Sequence, residues 1–148
     1  MDGSIVCGVD GSDESRDALR VAAQLSGQLG VPLVVAHVTQ AEAAAPAVGA
    51  HPVTPPPARR EPQAGQVLLE QVAAEVGLYD ADLRSLHGLP AERLAELADE
   101  ETAAFVVVGS RGRGAFKAAF LGSVSRDLIG VASCPVLVVP PGAISAHG

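Results

Sequence analysis

A chain of 148 residues has the size of one domain, and its formal net charge of −7 disfavours a broad electrostatic surface for nucleic acid. Hydrophobic residues make up 48% of the sequence, but the longest apolar runs fall far short of the ~20 residues that cross a bilayer. The N-terminal MDGSIVCGVDGS has no basic region ahead of an apolar stretch, so a signal peptide is not expected. These features predict a single cytoplasmic domain over 1–148 that binds neither nucleic acid nor a membrane.

The N-terminal part of the chain predicts a strand, a helix and a second strand. Residues 4–9 form a short, partly β-branched run that ends at a turn. Ser12 can cap the helix that follows, and Gly30 can close it. Residues 32–38 are a second apolar run, so the three elements have the size and order of a βαβ unit.

The middle of the chain begins with a different composition. Alanine and proline dominate residues 41–64, which predicts a mobile Pro/Ala-rich loop within the domain. A second helix follows and ends at Gly77. The polar run 82–87 predicts a third strand at an edge of the sheet, and 90–101 predicts a third, amphipathic helix.

The C-terminal part predicts a strand at 104–108, a glycine-rich segment, a helix at 123–132 and a fifth strand from Pro135 to Val139. Apolar central strands that alternate with helices are typical of parallel sheets covered on both faces. The sequence therefore predicts a doubly wound α/β fold, a Rossmann-like five-stranded parallel sheet with helices on both faces and strand order 3-2-1-4-5. Ligands of such sheets bind beyond the carboxyl ends of the strands where the order reverses, here strands one and four.

The segment after the fourth strand has the residues of a phosphate site. Its sequence, GSRGRGAFKAAFLGSVS, places four glycines ahead of a helix that starts near Ser123. Glycine lets backbone amides approach an anion, and a helix start presents unpaired N–H groups to it. The basic residues between Glu101 and Asp127, with no carboxylate among them, are Arg111, Arg113, Lys117 and Arg126. Local positive charge in an acidic chain favours phosphate binding.

The loop after the first strand is acidic and suits the uncharged end of such a ligand. Asp10, Asp13 and Glu14 crowd the start of the first helix, where they would repel a phosphate. Asp10 at the strand tip can accept a hydrogen bond from a base amino group or a ribose hydroxyl. The alternative is that Asp10 caps its own turn.

On these residues the chain resembles the ATP-binding branch of the universal stress proteins. The motif of that branch is G-x-x-G, nine further residues, then G followed by Ser or Thr. The residues that satisfy it are Gly109, Gly112, Gly122 and Ser123. The resemblance extends from IVCGVDGSDESRDAL near the start to SCPVLVVP near the end.

The resemblance implies three groups of contacts with ATP. The adenine and ribose would be surrounded by Gly8, Asp10 and Val38. The ribose and first phosphates would be wrapped by Gly109, Ser110, Arg111, Gly112, Arg113 and Gly114. The β- and γ-phosphates would be held by Gly122, Ser123, Val124 and Ser125, with Mg²⁺ or Mn²⁺ bridging the phosphates.

Three classes of function are compatible with these residues. The first is an ATP-binding stress-response protein that acts as a nucleotide-gated binding or signalling module. The alternatives are a weak ATPase or nucleotidyl-transfer enzyme, and a nucleotide-free dimeric scaffold. The sequence lacks the G-K-[ST] ending of a P-loop, and no acidic residue is evidently placed to orient a water, so we expect at most slow hydrolysis. We assign no catalytic residue and no metal-ligating side chain.

The last strand predicts a homodimer. It is strongly apolar from Pro135 to Val139, and no later element of the sequence is available to cover it, so its edge invites pairing with a second copy. The universal stress proteins that the chain resembles commonly dimerise through this strand. The side chains facing the partner would be either Val136 and Val138 or Leu137 and Val139, depending on the pleat.

Three other polar or reactive residues are predicted to have structural roles. Cys7 and Cys134 lie in apolar, strand-like surroundings without the close spacing of a metal or redox pair, which indicates core thiols. His37, at the end of an apolar strand, is interpreted as a structural histidine whose hydrogen bonds are satisfied within the fold.

Overall fold

The computed structural model describes residues 3–40, 61–110 and 121–142, in which strands and helices alternate along the chain. The strands are β1 (Ser4–Gly8), β2 (Leu33–Thr39), β3 (Asp82–His87), β4 (Ala103–Gly109) and β5 (Val136–Val139). The helices are α1 (Asp13–Leu29), α2 (Glu61–Val76), α3 (Pro90–Glu100) and α4 (Ser123–Val131). None of these described helices is long and apolar enough to cross a membrane.

The five strands form one parallel sheet in the order β3-β2-β1-β4-β5. Helices α1 and α2 cover one face of the sheet, and α3 and α4 cover the other. The direction of winding reverses after β3, so the chain continues from the centre at β4 and leaves a crevice beyond the ends of β1 and β4. The predicted doubly wound fold and its strand order are confirmed.

Successive residues of each strand contribute to two separate cores. In β1, Ile5 and Cys7 pack under α1 and α2, whereas Val6 packs under α3 and α4. Burial raises the pKa of the Cys7 thiol, which therefore stays protonated, and its predicted core position is confirmed. Cys134 is only half-buried at the margin of the second core, because it lies in the turn that leads into the edge strand β5.

Helix α1 begins and ends at the residues that the sequence indicates. Ser12 is its N-cap, and the Ser12 hydroxyl accepts a hydrogen bond from the backbone N–H of Ser15 at 3.2 Å. Gly30 is its C-cap with a left-handed φ of 68°, and the Gly30 N–H donates to the carbonyl of Ser26.

The largest difference from the sequence prediction is the start of α2. This helix begins at Glu61, so the last four residues of the loop predicted over 41–64 are helical. A proline follows Glu61, and the first turn of a helix tolerates proline because its N–H groups have no intrahelical partner. The rest of that loop, 41–60, lies outside the described residues. The other predicted bounds differ from the structure by at most one residue at either end.

Candidate functional site

The carboxyl ends of β1 and β4 bring the two predicted halves of the site together. The strands are adjacent and parallel, with Cys7 opposite Val107. Asp10 follows β1 and Ser110 follows β4, so both residues lie beyond the same edge of the sheet. Four further predicted contacts lie outside the described residues: Arg111, Gly112, Arg113 and Gly114.

The start of α4 is fastened to the end of β4 by two hydrogen bonds to one carbonyl. The N–H of Gly122 donates to the carbonyl of Ser110 at 2.6 Å, and the buried Ser125 hydroxyl lies 3.1 Å from the same oxygen. Ser125 is only 2% exposed, and its hydroxyl also lies 3.1 Å from the Gly122 carbonyl. The Ser125 side chain is therefore committed to the fold, which leaves its backbone as the part available to a ligand.

The first turn of α4 has no side-chain cap. Its N-cap residue, Gly122, carries no side chain that could accept a hydrogen bond, and no acidic residue lies in the first turn. Ser123 is exposed and Val124 is half-buried at this helix start. Unpaired N–H groups and the positive end of the helix dipole make such a start suitable for an anion.

The start of α1, across the crevice, is closed by its own residues. Asp10 Oδ1 accepts hydrogen bonds from the Ser12 N–H at 2.9 Å and the Ser12 hydroxyl at 2.5 Å. Asp13 and Glu14 add negative charge to the first turn. Asp10 therefore does stabilise its own turn, the alternative left open by the sequence, and of these two helix starts that of α4 suits an anion better.

Ser110, directly after β4, has a buried hydroxyl. The residue is 8% exposed, and no described residue makes a hydrogen bond to its Oγ. Leaving a buried polar group unsatisfied costs roughly 1–3 kcal/mol. A ligand oxygen that reaches this hydroxyl would remove that cost.

Two glycines of the predicted site are also required by helix packing. A Cβ on Gly8 would stand 2.7 Å from a Leu94 methyl of α3, and a Cβ on Gly109 would stand 3.1 Å from the Glu14 backbone of α1. Both helices approach the strand ends where a side chain would obstruct them. The sequence prediction missed this role because Leu94 and Glu14 are distant in sequence from the glycines they contact.

A cavity of about 420 Å³ lies beside the start of α4, between α3, α4 and the end of β2. Val38 packs on this same face of the sheet. The residues that line the cavity are Gln40, 89–92, Ser123, Val124, Arg126, Asp127, Gly130 and Val131. The sequence prediction included Ser123 and Val124 but missed Gln40 and 89–92, whose one signal was their position after the carboxyl ends of β2 and β3.

Metal binding by protein side chains finds no support in the described part of the chain. Within residues 3–40, 61–110 and 121–142 no group of three or more His, Cys, Asp or Glu side chains is arranged to hold a metal ion.

Arg126 and Asp127 are exposed on α4, and Arg126 donates to the Leu121 carbonyl at 3.1 Å, as expected of a solvated helix face.

Comparison with known families agrees with this fold. The model of the universal stress protein family matches residues 1–140. The chain belongs to the universal stress protein family. A universal stress protein of Thermus aquaticus is 32% identical to it over 136 residues, which cover 92% of this chain and 97% of that protein.

Two solved universal stress protein structures of the same fold contain nucleotides. One, in complex with cAMP, is 26% identical with a TM-score of 0.69 and covers 94% of this chain and 97% of its own. The other, from Archaeoglobus fulgidus in complex with dAMP, is 25% identical with a TM-score of 0.60 and covers 93% of this chain and 98% of its own. The likeness extends over almost the whole of this universal stress protein.

Proposed function

We propose that this universal stress protein is a cytoplasmic ATP-binding stress-response protein that acts as a nucleotide-gated binding or signalling module. The observation that carries the proposal is the start of α4, where Gly122 supplies no side-chain cap and the first turn carries no acidic residue. Beside it lies the buried Ser110 hydroxyl, which has no partner among the described residues. The cAMP and dAMP complexes of two relatives support a nucleotide as the ligand class.

In this proposal the phosphates lie at α4. The β- and γ-phosphate oxygens accept hydrogen bonds from the backbone N–H groups at the start of the helix, and the Ser110 hydroxyl donates to a phosphate or ribose oxygen. The residues assigned to this end are Gly109, Ser110, Arg111, Gly112, Arg113, Gly114, Gly122, Ser123, Val124 and Ser125. Mg²⁺ or Mn²⁺ would be held through the phosphate oxygens and would neutralise part of their charge, and we assign it no protein ligand.

The nucleoside lies at the β1 side of the crevice in the same proposal. Gly8 and Val38 lie on the α3 face of β1 and β2, where Leu94 of α3 packs closely against Gly8. The Asp10 carboxylate accepts from the base or the ribose while it holds its turn through Ser12. A carboxylate has two oxygens and about four acceptor positions, so one group can do both.

The proposed phosphate site is joined directly to the last strand. The N–H of Ser110 donates to the Val139 carbonyl of β5 at 2.8 Å, and the Ser110 carbonyl accepts from the start of α4. A ligand that shifts Ser110 therefore shifts both α4 and β5. This connection supports gating of association, because β5 is the strand through which we propose that the homodimer forms.

Slow hydrolysis at most is proposed for this site. Efficient phosphoryl transfer to water needs a side chain that orients the attacking water. The first turn of α4 carries no acidic residue, and Asp10 is assigned to the nucleoside end of the ligand and not to the phosphates. Binding rather than turnover is therefore the activity that these groups serve best.

We expect Asp10→Ala to weaken ATP binding roughly 10- to 100-fold and to leave inorganic triphosphate binding nearly unchanged. A hydrogen bond to a charged group is worth about 1.5–3 kcal/mol, and Asp10 is assigned to the nucleoside end. Asp10→Asn is the matched control, because its amide oxygen can still accept from the Ser12 N–H. Competition binding with both ligands measures the difference. Equal losses of ATP and triphosphate affinity would remove Asp10 from the nucleoside pocket.

A further inference from the structure

The side chain of His37 makes a hydrogen bond just beyond the last paired residues of β1 and β2. The register of the two strands ends at Gly8 and Ala36, and the Val9 N–H donates to the Ala36 carbonyl at 2.9 Å. His37 Nδ1 lies 2.9 Å from the Val9 carbonyl oxygen. Because a carbonyl can only accept, Nδ1 carries the proton in this bond.

Helix α2 confines the other side of the imidazole ring. Gly65 is buried in this helix, and a Cβ at that position would stand 3.3 Å from His37 Cδ2 and closer still to the hydroxyl of Ser85. Ser85 is the residue of β3 that pairs with His37 in the sheet. A residue without a side chain therefore lets α2 pack directly over the ring and hold it against the Val9 carbonyl.

The loop that carries Asp10 is also connected to α2 through Arg16 and Leu68. Arg16 of α1 donates to the Gly11 carbonyl at 2.5 Å and also pairs with Glu75 of α2 at 2.5 Å. Leu68 of α2 lies against Gly11, where a Cβ would meet its methyl at 3.2 Å. The loop after β1 is thus held by His37 before Asp10, and by Arg16 and Leu68 after it.

We propose that His37 is a positioning residue of the nucleoside pocket: its Nδ1–H fixes the Val9 carbonyl and so sets the orientation of the peptide that leads into Asp10. The inference rests on the proposed function, because it assigns His37 a role at that site. The ring acts through Asp10 and does not itself touch the ligand. The N–H of the same peptide donates to the Ser15 hydroxyl at 3.3 Å. Loss of the His37 bond leaves the Val9–Asp10 peptide held through that N–H alone, so the peptide tilts and shifts the Asp10 carboxylate from its ligand.

Two substitutions separate this role from general packing. His37→Leu removes the donor, whereas the amide of His37→Asn places an N–H near the position of Nδ1. We expect His37→Leu to lower the affinity for ATP and for AMP about tenfold each while inorganic triphosphate binding is unchanged. His37→Asn should recover most of the loss, and His87→Leu, at an exposed histidine at the end of β3, should bind as the wild type does.

Isothermal titration of the four proteins with the three ligands decides the binding part of the inference. A parallel loss of triphosphate affinity in His37→Leu, or no recovery in a folded His37→Asn protein, would overturn the positioning role. If His37→Leu does not fold, His37→Asn decides: affinities for AMP and triphosphate close to the wild type support the positioning role, and a loss of AMP affinity in the folded protein would overturn it.

The ring tautomer tests the structural part without any nucleotide. In ¹⁵N-labelled wild-type protein, at a pH where the ring is neutral, the ring nitrogen shifts should place the proton of His37 on Nδ1. Nucleotide binding together with a proton on Nε2 would overturn the inference and leave the proposed function standing. A wild type that binds no nucleotide would instead contradict the proposed function, and the positioning role would fall with it whatever the tautomer.

Discussion

Ser123→Glu should abolish ATP binding and leave the fold intact. The substitution places a negative charge in the first turn of α4, where the β- and γ-phosphates are proposed to bind. Like charges about 4 Å apart repel by about 4 kcal/mol at the effective dielectric constant of a protein surface. Because Ser123 is exposed and solvent screens part of this repulsion, we expect a loss of at least about 100-fold in affinity.

The same substitution should not reduce stability. A glutamate in the first turn interacts favourably with the helix dipole, by about 0.3–1 kcal/mol at an exposed position. Ser123→Gln, similar in size and uncharged, is the matched control and should retain most of the affinity. Titration calorimetry and thermal unfolding measure the two quantities on the same samples. Wild-type affinity in the Ser123→Glu protein would show that the phosphates do not lie at α4.

The wild type should be a homodimer that pairs through β5, and Leu137→Lys should shift it to monomer. In the described sheet β5 is an edge strand that pairs with β4 alone. Leu137 is 37% exposed, whereas Val139 is 3% exposed under α1. The two-fold axis of such a dimer brings the two lysines close together in an apolar seam, where burying unpaired charge is costly. A loss of about 2 kcal/mol or more, roughly 30-fold in dimer affinity, is expected of a central interface residue.

Because Leu137 is partly exposed, the lysine variant should remain folded and bind ATP. Val67→Lys is the matched control. Val67 is 60% exposed on α2, which packs on β2 and β3 at the other side of the sheet, so the substitution adds the same charge away from β5. Sedimentation velocity at micromolar concentration should show dimers for the wild type and for Val67→Lys. A monomeric wild type would refute the interface, and a dimeric Leu137→Lys protein would place it elsewhere.

The order and type of the elements could be predicted because local signals agreed with the fold. The buried strands are short apolar runs, β3 is polar at the sheet edge where it was expected, and α1 has both its caps. The start of α2 could not be predicted in the same way. Its first residues continue the Ala/Pro-rich composition of the preceding segment, and their helicity comes from continuity with the apolar residues that pack on β2 and β3.

Within the candidate site, sequence reasoning could address the residues whose predicted role is local. The glycine and serine residues at the start of α4 belong to one continuous motif, as do Asp10 and Ser12 in their turn. Contacts between distant parts of the chain could not be predicted from the sequence. Leu94 against Gly8, and residues 89–92 beside Ser123, depend on how α3 crosses the sheet, which no local pattern specifies. His37 was correctly interpreted as structural, but its bond to Val9 spans 28 residues and became evident only in the fold.

Titration of the nucleotide-stripped wild-type protein with ATP and Mg²⁺ is the most direct test of nucleotide binding. We expect saturable binding of one ATP per chain, with inorganic triphosphate binding more weakly because it lacks the nucleoside contacts at Asp10. Absence of saturable ATP binding in a correctly folded protein would refute the proposed ATP site, and a stable dimer under the same conditions would then favour the nucleotide-free scaffold.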